Sequence, residues 1–146
     1  MLIEAPYNTT TSEIIGAAIE VHRSLGPGLL ESAYVRCLKH ELAERKLRFV
    51  TEVAIPLAYK GIELDQGYRV DLIVESLVIV EVKSVEAVIP VHRAQVMTYL
   101  KLTSCPIGLL INFNEVRLID GVHRILNPAL TRAELGKSAE KRSSTE

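Results

Sequence analysis

Residues 68–83 read YRVDLIVESLVIVEVK, two apolar runs separated by the polar pair Glu75-Ser76. Both runs are rich in Val and Ile and have the length of one strand each, which predicts two strands joined by a tight turn. If the turn is centred on Ser76, the strands form an antiparallel hairpin in which Asp71 lies directly opposite Glu81. Two acidic residues are therefore expected to meet in the middle of a sheet.

Side-chain alternation along the hairpin groups its polar residues. Asp71 shares one face of the first strand with Ile73, and Glu81 shares one face of the second strand with Lys83. The opposite face carries only apolar residues, namely Val70, Leu72, Val74, Val78, Val80 and Val82. The pattern thus predicts that Asp71, Glu81 and Lys83 form one cluster, set among apolar residues.

The opposed carboxylates require a compensating charge. Cβ atoms at opposed positions lie about 5 Å apart, where like charges destabilise the pairing. A hard divalent cation would remove this repulsion, because carboxylate and carbonyl oxygens are ligands that suit Mg²⁺ or Mn²⁺. The alternative is a solvated polar face of an edge hairpin, on which Lys83 forms a weak surface ion pair. The apolar flanks argue against that alternative, because burying a carboxylate among them costs several kcal/mol.

The rest of the chain alternates helical and extended patterns. We predict helices from a capping box at Thr10 and Glu13 to Leu25, from about Leu29 to Lys46, and from Pro90 to Leu102. We predict further strands at Phe49–Tyr59, Ile107–Phe113 and Val116–Ile119, with a turn at Lys60-Gly61 and a last extended piece to Leu126. The strand at Phe49–Tyr59 and the two strands of the hairpin are expected to form a meander. This order indicates an α/β sandwich around a mixed sheet.

Composition favours one folded domain. The chain has 146 residues, of which 48% are hydrophobic, enough for a continuous core. We expect an N-terminal extension at residues 1–11, the domain at residues 12–127 and a polar, largely disordered tail at residues 128–146. The net charge of −1 argues against a general nucleic-acid coat protein. It does not argue against a nuclease, which can hold phosphate with a metal ion and a local basic strip.

The cysteines and the N-terminus indicate a cytoplasmic protein. Cys37 and Cys105 lie in apolar stretches without the spacing of metal ligands, and we expect both to be core thiols. A disulfide between them is the alternative, and it would indicate an oxidising compartment. The first residues do not resemble a signal peptide, and no apolar run approaches the length of about 18 residues needed for a membrane span. We therefore expect no membrane association.

At this point the sequence resembles a known superfamily. Val70-Asp71 followed by Glu81-Val82-Lys83 resembles the PD-(D/E)XK nucleases, in which a strand aspartate precedes an ExK strand. The segment GLLESAY, residues 28–34, is similar to the signature of the GxxExxY proteins, a small branch of that superfamily. The resemblance runs from Ile14 to Leu126. It implies a restriction-endonuclease-like core, with a mixed central sheet of about five strands flanked by helices.

The resemblance also implies which residues act. It gives catalytic roles to Asp71, Glu81 and Lys83, and a metal site to Asp71, Glu81, the Val82 carbonyl and Glu31. Glu31 lies in the first turn of the second predicted helix. For this residue the alternative is a favourable interaction with the helix dipole and no contact with a metal.

Two further features resemble RecB-like and Cas4-like members of the superfamily. Gln95 and Tyr99 lie four residues apart on one helical face, like the QxxxY feature that borders the catalytic site and contacts nucleic acid. His22 resembles the histidine that RecB-like enzymes place near the metal, and imidazole is an acceptable ligand for Mn²⁺. The alternatives are core packing for Tyr99 and Gln95, and a helix-dipole interaction for His22.

These features predict a phosphodiesterase. We expect hydrolysis of nucleic acid, DNA in preference to RNA, with Mg²⁺ or Mn²⁺ as cofactor. One rival is a non-catalytic module that retains the fold and binds nucleic acid or a partner. Another is a metal-dependent enzyme for a small phosphorylated molecule. A homodimer or a larger repair or defence assembly stays open.

Overall fold

The fold is that of a computed structural model, which describes Ala5, residues 7–64 and residues 67–130. Its helices are α1 (Asn8–Leu25), α2 (Glu31–Glu44) and α3 (Pro90–Thr103). Its strands are β1 (Phe49–Ala54), β2 (Leu57–Tyr59), β3 (Ile62–Leu64), β4 (Arg69–Val74), β5 (Val78–Lys83), β6 (Ile107–Asn112) and β7 (Val122–Leu126). Residues 1–4 and 6 of the predicted N-terminal extension and residues 131–146 of the predicted tail lie outside the described residues, and the domain boundaries stay a prediction.

The central sheet has five strands in the order β1-β4-β5-β6-β7. Strands β5 and β6 are parallel, whereas the other neighbours are antiparallel. The parallel pair follows from α3, which carries the chain back across the sheet between the two strands. The α/β class and the mixed five-stranded sheet are therefore confirmed.

The hairpin of β4 and β5 has the predicted register. Leu72 pairs with Val80 and Ile73 pairs with Ile79, so Asp71 and Glu81 come next on the two strands. The turn between them places Glu75 and Ser76 at a φ of 54° each, the left-handed region. The Glu75 carboxylate accepts hydrogen bonds from the backbone and the guanidinium of Arg48, which anchors this turn.

Helices cover both faces of the sheet. Val78, Val80 and Val82 of β5 pack in a core cluster with α1 and α2, whereas Ile79 packs in a second cluster with α3. Strand alternation predicted this division along β5. In β4 the predicted alternation fails at one residue. Val70 packs in the α3 cluster, whereas Leu72 packs in the cluster with α1 and α2.

The change of face at Val70 also occurs in β1, the strand that pairs with β4. Val53 pairs with Val70 and packs in the same α3 cluster. The residue before it in β1, Glu52, has a φ of 48°, a conformation that L-residues rarely adopt within a strand. The ribbon of β1 and β4 therefore turns over between Thr51 and Val53, directly beside Asp71. Alternation alone could not predict this turn, since the turn interrupts the alternation.

Three predicted elements differ from the structure: one strand was predicted too long, one strand does not form, and one helix begins earlier. The strand predicted at Phe49–Tyr59 breaks at Pro56, which has no N–H to donate, and residues 57–59 instead form a separate hairpin with residues 62–64. The predicted turn at Lys60-Gly61 joins that hairpin, with both residues at positive φ. The three-strand meander is therefore interrupted by a second, two-stranded sheet.

The strand predicted at Val116–Ile119 does not form. Val116 is 87% exposed, and the chain continues into a 3₁₀ turn at Leu118–Gly121. Gly121 lies so close to the Asn112 carbonyl that a Cβ would stand 2.3 Å from it. Besides β5, the strand that pairs with β6 is instead β7, which was predicted only as an extended piece that reaches Leu126.

The first helix also begins earlier than predicted. Helix α1 starts at Asn8 with Tyr7 as its N-cap, and no side chain caps it. Thr10 lies inside the helix, so the capping box of Thr10 and Glu13 is wrong. Tyr7 is buried in the core with α1, and this packing extends the helix beyond its sequence signal.

The cysteines and helices bear on the predicted compartment. Cys37 and Cys105 are free thiols, so the alternative disulfide does not form. Among the described residues, no helix combines the length and the apolar content needed to cross a bilayer.

Candidate active site

The carboxylates of Asp71 and Glu81 each accept a hydrogen bond from the backbone of the opposite strand. The backbone N–H of Asp71 donates to Glu81 Oε1 at 3.0 Å, and the N–H of Val82 donates to Asp71 Oδ2 at 2.9 Å. Two carboxylates therefore take the place of the backbone ladder, in which Leu72 and Val80 are the last pair on this side. Each carboxylate is fixed in position by an amide of the opposite strand.

This arrangement leaves one oxygen of each carboxylate for another ligand. Within the described part of the chain, neither Asp71 Oδ1 nor Glu81 Oε2 receives a hydrogen bond. Glu81 is only 5% exposed, although it is acidic. Carboxylates with oxygens left over in a buried position are strong acceptors for a cation.

Burial makes the ionised pair unfavourable. It raises the pKa of Glu81 to about 7, and the charge of Asp71 adds to this effect. Burial also raises the pKa of Asp71, against the opposing effects of the Val82 amide and the Lys83 ammonium. Since both pKa values lie above the usual range of a carboxyl group, the site favours any cation that neutralises the pair.

Lys83 supplies one positive charge at the same site. Its ammonium lowers the pKa of both Asp71 and Glu81, which shows that the three side chains share one region, as the sequence predicted. Lys83 ends β5 and pairs with Asn112 of β6, and its carbonyl accepts the N–H of Phe113 at 2.9 Å. The backbone of Lys83 is thus anchored independently of its side chain.

Glu31 lies at the rim of the site. It is the first residue of α2 and is exposed, and its charge raises the pKa of both Asp71 and Glu81. The loop before it is tied to the residue that follows β5, because the Ser84 hydroxyl donates to the Leu29 carbonyl at 2.6 Å. The structure thus gives Glu31 an electrostatic effect on the pair, without a hydrogen bond to either carboxylate among the described residues.

Tyr34 holds the loop that precedes Glu31. Its buried hydroxyl donates to the Gly26 carbonyl at 2.5 Å and accepts the N–H of Leu29 at 3.1 Å. Its ring stacks on Phe113, with the ring centroids 4.5 Å apart. Gly28 has a φ of 97°, which only glycine adopts without strain. The GxxExxY spacing thus has a physical basis, because Gly28 bends the loop and the Tyr34 hydroxyl holds it ahead of Glu31 at the start of α2.

Replacing Tyr34 with phenylalanine tests this clamp. We expect the free energy of unfolding to fall by about 1 kcal/mol, because the Gly26 carbonyl and the Leu29 amide lose their partner while the ring packing remains. Urea denaturation followed by circular dichroism measures the change. The matched control is Tyr59→Phe, since Tyr59 is 60% exposed. Equal stability of Tyr34→Phe and the wild type would contradict the clamp.

Gln95 and Tyr99 lie beside the acids, as the sequence predicted. Gln95 Nε2 donates to the Tyr99 hydroxyl at 2.9 Å. Burial raises the pKa of Tyr99, and the charges of Glu81 and Asp71 raise it further. Tyr99 is therefore both a core residue and a neighbour of the site, which combines the two alternatives.

His22 is bonded to a backbone carbonyl outside the acid pair. Its Nε2 donates to the Glu115 carbonyl at 2.8 Å, and its ring lies 6.5 Å from that of Phe113. Within the described ranges, no three His, Cys, Asp or Glu residues are grouped closely enough to hold a metal ion. The full ligand set of His22, Glu31, Asp71, Glu81 and Val82 therefore stays a prediction.

Asn112 is a site residue that the sequence analysis missed. It is fully buried at the end of β6. Its Nδ2 donates to the Val85 carbonyl at 2.9 Å, and its Oδ1 accepts the N–H groups of Val85 and Asn114. These bonds fix the loop that follows Lys83. A polar residue that ends an entirely apolar strand is the signal that could have identified it.

Glu52 is the second residue that was missed. It lies beside Asp71 on the neighbouring strand, and its charge raises the pKa of Asp71. Its positive φ has no signature in the sequence, because strain of this kind is imposed by the surrounding fold.

The donor atoms suit a hard divalent cation. Asp71 and Glu81 offer carboxylate oxygens whose ionisation burial opposes. Mg²⁺ is commonly bound by one or two carboxylates, with water and substrate phosphate completing its octahedron. The pair therefore fits Mg²⁺ or Mn²⁺ without requiring a cage made entirely of protein ligands.

Comparison with known proteins identifies the family. The sequence pattern of the PD-(D/E)XK nuclease superfamily matches residues 8–125, which include every residue of the site. The chain belongs to this superfamily. Superfamily membership agrees with the mixed sheet and with the positions of Asp71 and Glu81 on adjacent strands.

Two further comparisons do not extend the family assignment. The solved structure titled "Crystal structure of SSO0001" superposes with a TM-score of 0.48 and 19% identity. The alignment covers 96% of this chain and 68% of that one. No curated protein matches the chain.

Proposed function

We propose that this protein is a nuclease that hydrolyses phosphodiester bonds with the help of Mg²⁺ or Mn²⁺. One observation carries the proposal: backbone amides of the opposite strands hold the Asp71 and Glu81 carboxylates, and the charge of Lys83 lowers the pKa of both. Superfamily membership supports it, since PD-(D/E)XK proteins are typically nucleases. We assign Asp71, Glu81 and Lys83 as the catalytic core.

The chain's own oxygens would hold the metal. Asp71, Glu81 and the Val82 carbonyl are the proposed ligands, and Glu31 is the third carboxylate. His22 completes the proposed set only if it leaves the Glu115 carbonyl. A bound divalent cation polarises the scissile phosphate and lowers the pKa of an attacking water.

Three side chains would act on the substrate. The Lys83 ammonium orients the attacking water and offsets the negative charge that develops on the phosphate. The Tyr99 hydroxyl accepts its hydrogen bond from Gln95, so its own proton is available for a phosphate oxygen. Gln95 and Tyr99 thereby place the backbone of the nucleic acid for in-line attack.

The finer assignments are also proposals. We place the chain in the GxxExxY branch because Gly28, Glu31 and Tyr34 each have a role in shaping the site. We propose DNA in preference to RNA as the substrate. Two free thiols agree with a cytoplasmic location.

A non-catalytic module that binds nucleic acid is the second candidate. It is favoured by the hydrogen bond that holds His22 to Glu115 and by the exposure of Glu31 at the rim. In that case the acid pair would bind metal only as a bridge to phosphate.

Cleavage assays decide between the two candidates. Wild-type protein and Asp71→Asn are incubated with labelled single-stranded and duplex DNA and RNA, in Mg²⁺, in Mn²⁺ and in chelator. We expect cutting by the wild type that requires the metal and is lost in Asp71→Asn. Glu44→Gln is the matched control, because its carboxylate is 67% exposed on the far end of α2.

Other outcomes are equally informative. Metal-dependent binding of nucleic acid without cutting would support the second candidate. If the wild type neither cuts nucleic acid nor binds Mn²⁺ in calorimetry, both metal-based proposals fail.

A further inference from the structure

A cavity of about 390 Å³ opens between the β2–β3 hairpin and the adjoining ends of β1 and β4. Ile55, Pro56 and Leu64 give it apolar walls, while Glu63, Tyr68 and Arg69 bring polar groups to it. The N–H of Ile55 donates to the Tyr68 carbonyl at 2.9 Å, which fixes the backbone of Tyr68. The cavity has the size of a small-molecule site and is lined by both apolar and charged groups.

The cavity adjoins the candidate active site along strand β4. Tyr68 and Arg69 immediately precede Val70 and Asp71 in the sequence. At about 3.3 Å per residue, Tyr68 lies about 10 Å along the chain from Asp71. Ile55, which lines the cavity, packs in the same core cluster as Tyr99, and the charge of Glu81 raises the pKa of Tyr99. A nucleotide next to the one being cut could therefore reach the cavity.

The lining residues match the chemistry of a nucleobase. Tyr68 is 44% exposed, so part of its ring is accessible for stacking. Glu63 is exposed and can accept a hydrogen bond from an amino group on a base edge. Arg69 is exposed and can pair with the flanking phosphate. Together these groups serve the aromatic face, the polar edge and the backbone of one nucleotide.

We propose that this cavity binds one unpaired nucleobase next to the scissile phosphate. A base within a duplex is already stacked and paired, so it would have to leave the helix to enter. The substrate is therefore single-stranded nucleic acid or a frayed end. This inference rests on the proposed nuclease function and specifies its substrate.

The test combines protein variants with modified strands. Cleavage of a single strand is measured with wild-type protein, Tyr68→Ala, Tyr68→Phe and the control Tyr59→Ala, whose tyrosine lies outside the cavity. A base stacked on an aromatic ring contributes enough affinity that its loss raises KM by about 10- to 100-fold. We expect this rise in Tyr68→Ala alone. Thermal melts verify that each variant is folded.

Single abasic positions then locate the base. Moving one abasic residue along the strand should reproduce the rise in KM at one position near the cut. At that position the abasic residue should add nothing further in Tyr68→Ala, because both changes remove the same contact. Additive effects, no abasic effect at any position, or equal cleavage of blunt duplex would overturn the inference.

The two proposals fail in different ways. If the wild type cuts and Tyr68→Ala cuts with an unchanged KM, the cavity proposal is wrong and the nuclease proposal stands. If the wild type cuts nothing, the nuclease proposal fails, and the same strands in fluorescence anisotropy decide about the cavity. Loss of affinity in Tyr68→Ala that is not additive with the abasic change would support the cavity, and equal affinities would overturn it.

Discussion

Replacing Lys83 with alanine is expected to lower kcat by at least about 100-fold, the size of effect seen when one charge-stabilising group is removed from an active site. The charge of the Lys83 ammonium lowers the pKa of both Asp71 and Glu81. Its removal leaves the water without its orienting group and the developing phosphate charge without compensation. Single-turnover cleavage with saturating enzyme measures the loss directly.

The fold of Lys83→Ala should be unchanged. The backbone contacts of Lys83 with Asn112 and Phe113 do not depend on its side chain. Lys101→Ala is the matched control, because Lys101 is an exposed lysine in the last turn of α3. Unchanged turnover in a folded Lys83→Ala protein would remove Lys83 from the catalytic core.

Replacing Glu81 with glutamine is expected to stabilise the metal-free protein at pH 8 by up to about 3 kcal/mol. Burial raises the pKa of Glu81 from its ordinary value of 4.5 to about 7 in the folded protein. Between these values the folded state holds more protons than the unfolded state, so Glu81 lowers stability as the pH rises. Glutamine keeps an oxygen that accepts the Asp71 N–H but carries no charge.

The advantage of Glu81→Gln should therefore depend on pH. It should be small near pH 4, grow between pH 4.5 and 7, and stay constant above the folded pKa. Urea denaturation in chelator at several pH values gives the difference between the two proteins, which removes the contribution of all other groups. An advantage that does not grow over this range would contradict a raised pKa for Glu81.

Divalent metal should remove most of this advantage. A ligand at 100 times its Kd stabilises the folded state by about 2.7 kcal/mol. Saturating Mn²⁺ should thus raise the melting temperature of the wild type and leave that of Glu81→Gln almost unchanged, because one of the proposed carboxylate ligands is gone. Glu44→Gln should respond like the wild type. Equal responses of all three proteins to Mn²⁺ would place the metal elsewhere.

Local sequence pattern was sufficient to predict the hairpin of β4 and β5. Alternating valines and isoleucines, with Glu75-Ser76 between them, predicted the register that pairs Ile73 with Ile79. Because side chains in a strand repeat every two residues, this register also determines that Asp71 and Glu81 face each other. The position of the acid pair was thus available without coordinates.

Elements whose limits depend on distant partners were predicted less well. Strand β7 has little signal of its own and forms because β6 presents a free edge to it. Helix α1 extends to Asn8 because Tyr7 packs into the core. In both places tertiary contacts outweigh local propensity, which contributes only tenths of a kcal/mol per residue.

The sequence by itself determined that Asp71 and Glu81 lie opposite each other on adjacent strands with Lys83 two residues further on, and that Gln95 and Tyr99 share one face of α3. Only the tertiary structure decided how they are held. The amides of β4 and β5 fix the carboxylates, Tyr34 clamps the loop before Glu31, Asn112 fixes the loop after Lys83, and Glu52 adopts a positive φ beside Asp71. The reason is physical: register follows from a pattern within one or two strands, whereas these contacts join segments far apart in the chain and exist only after the core has packed.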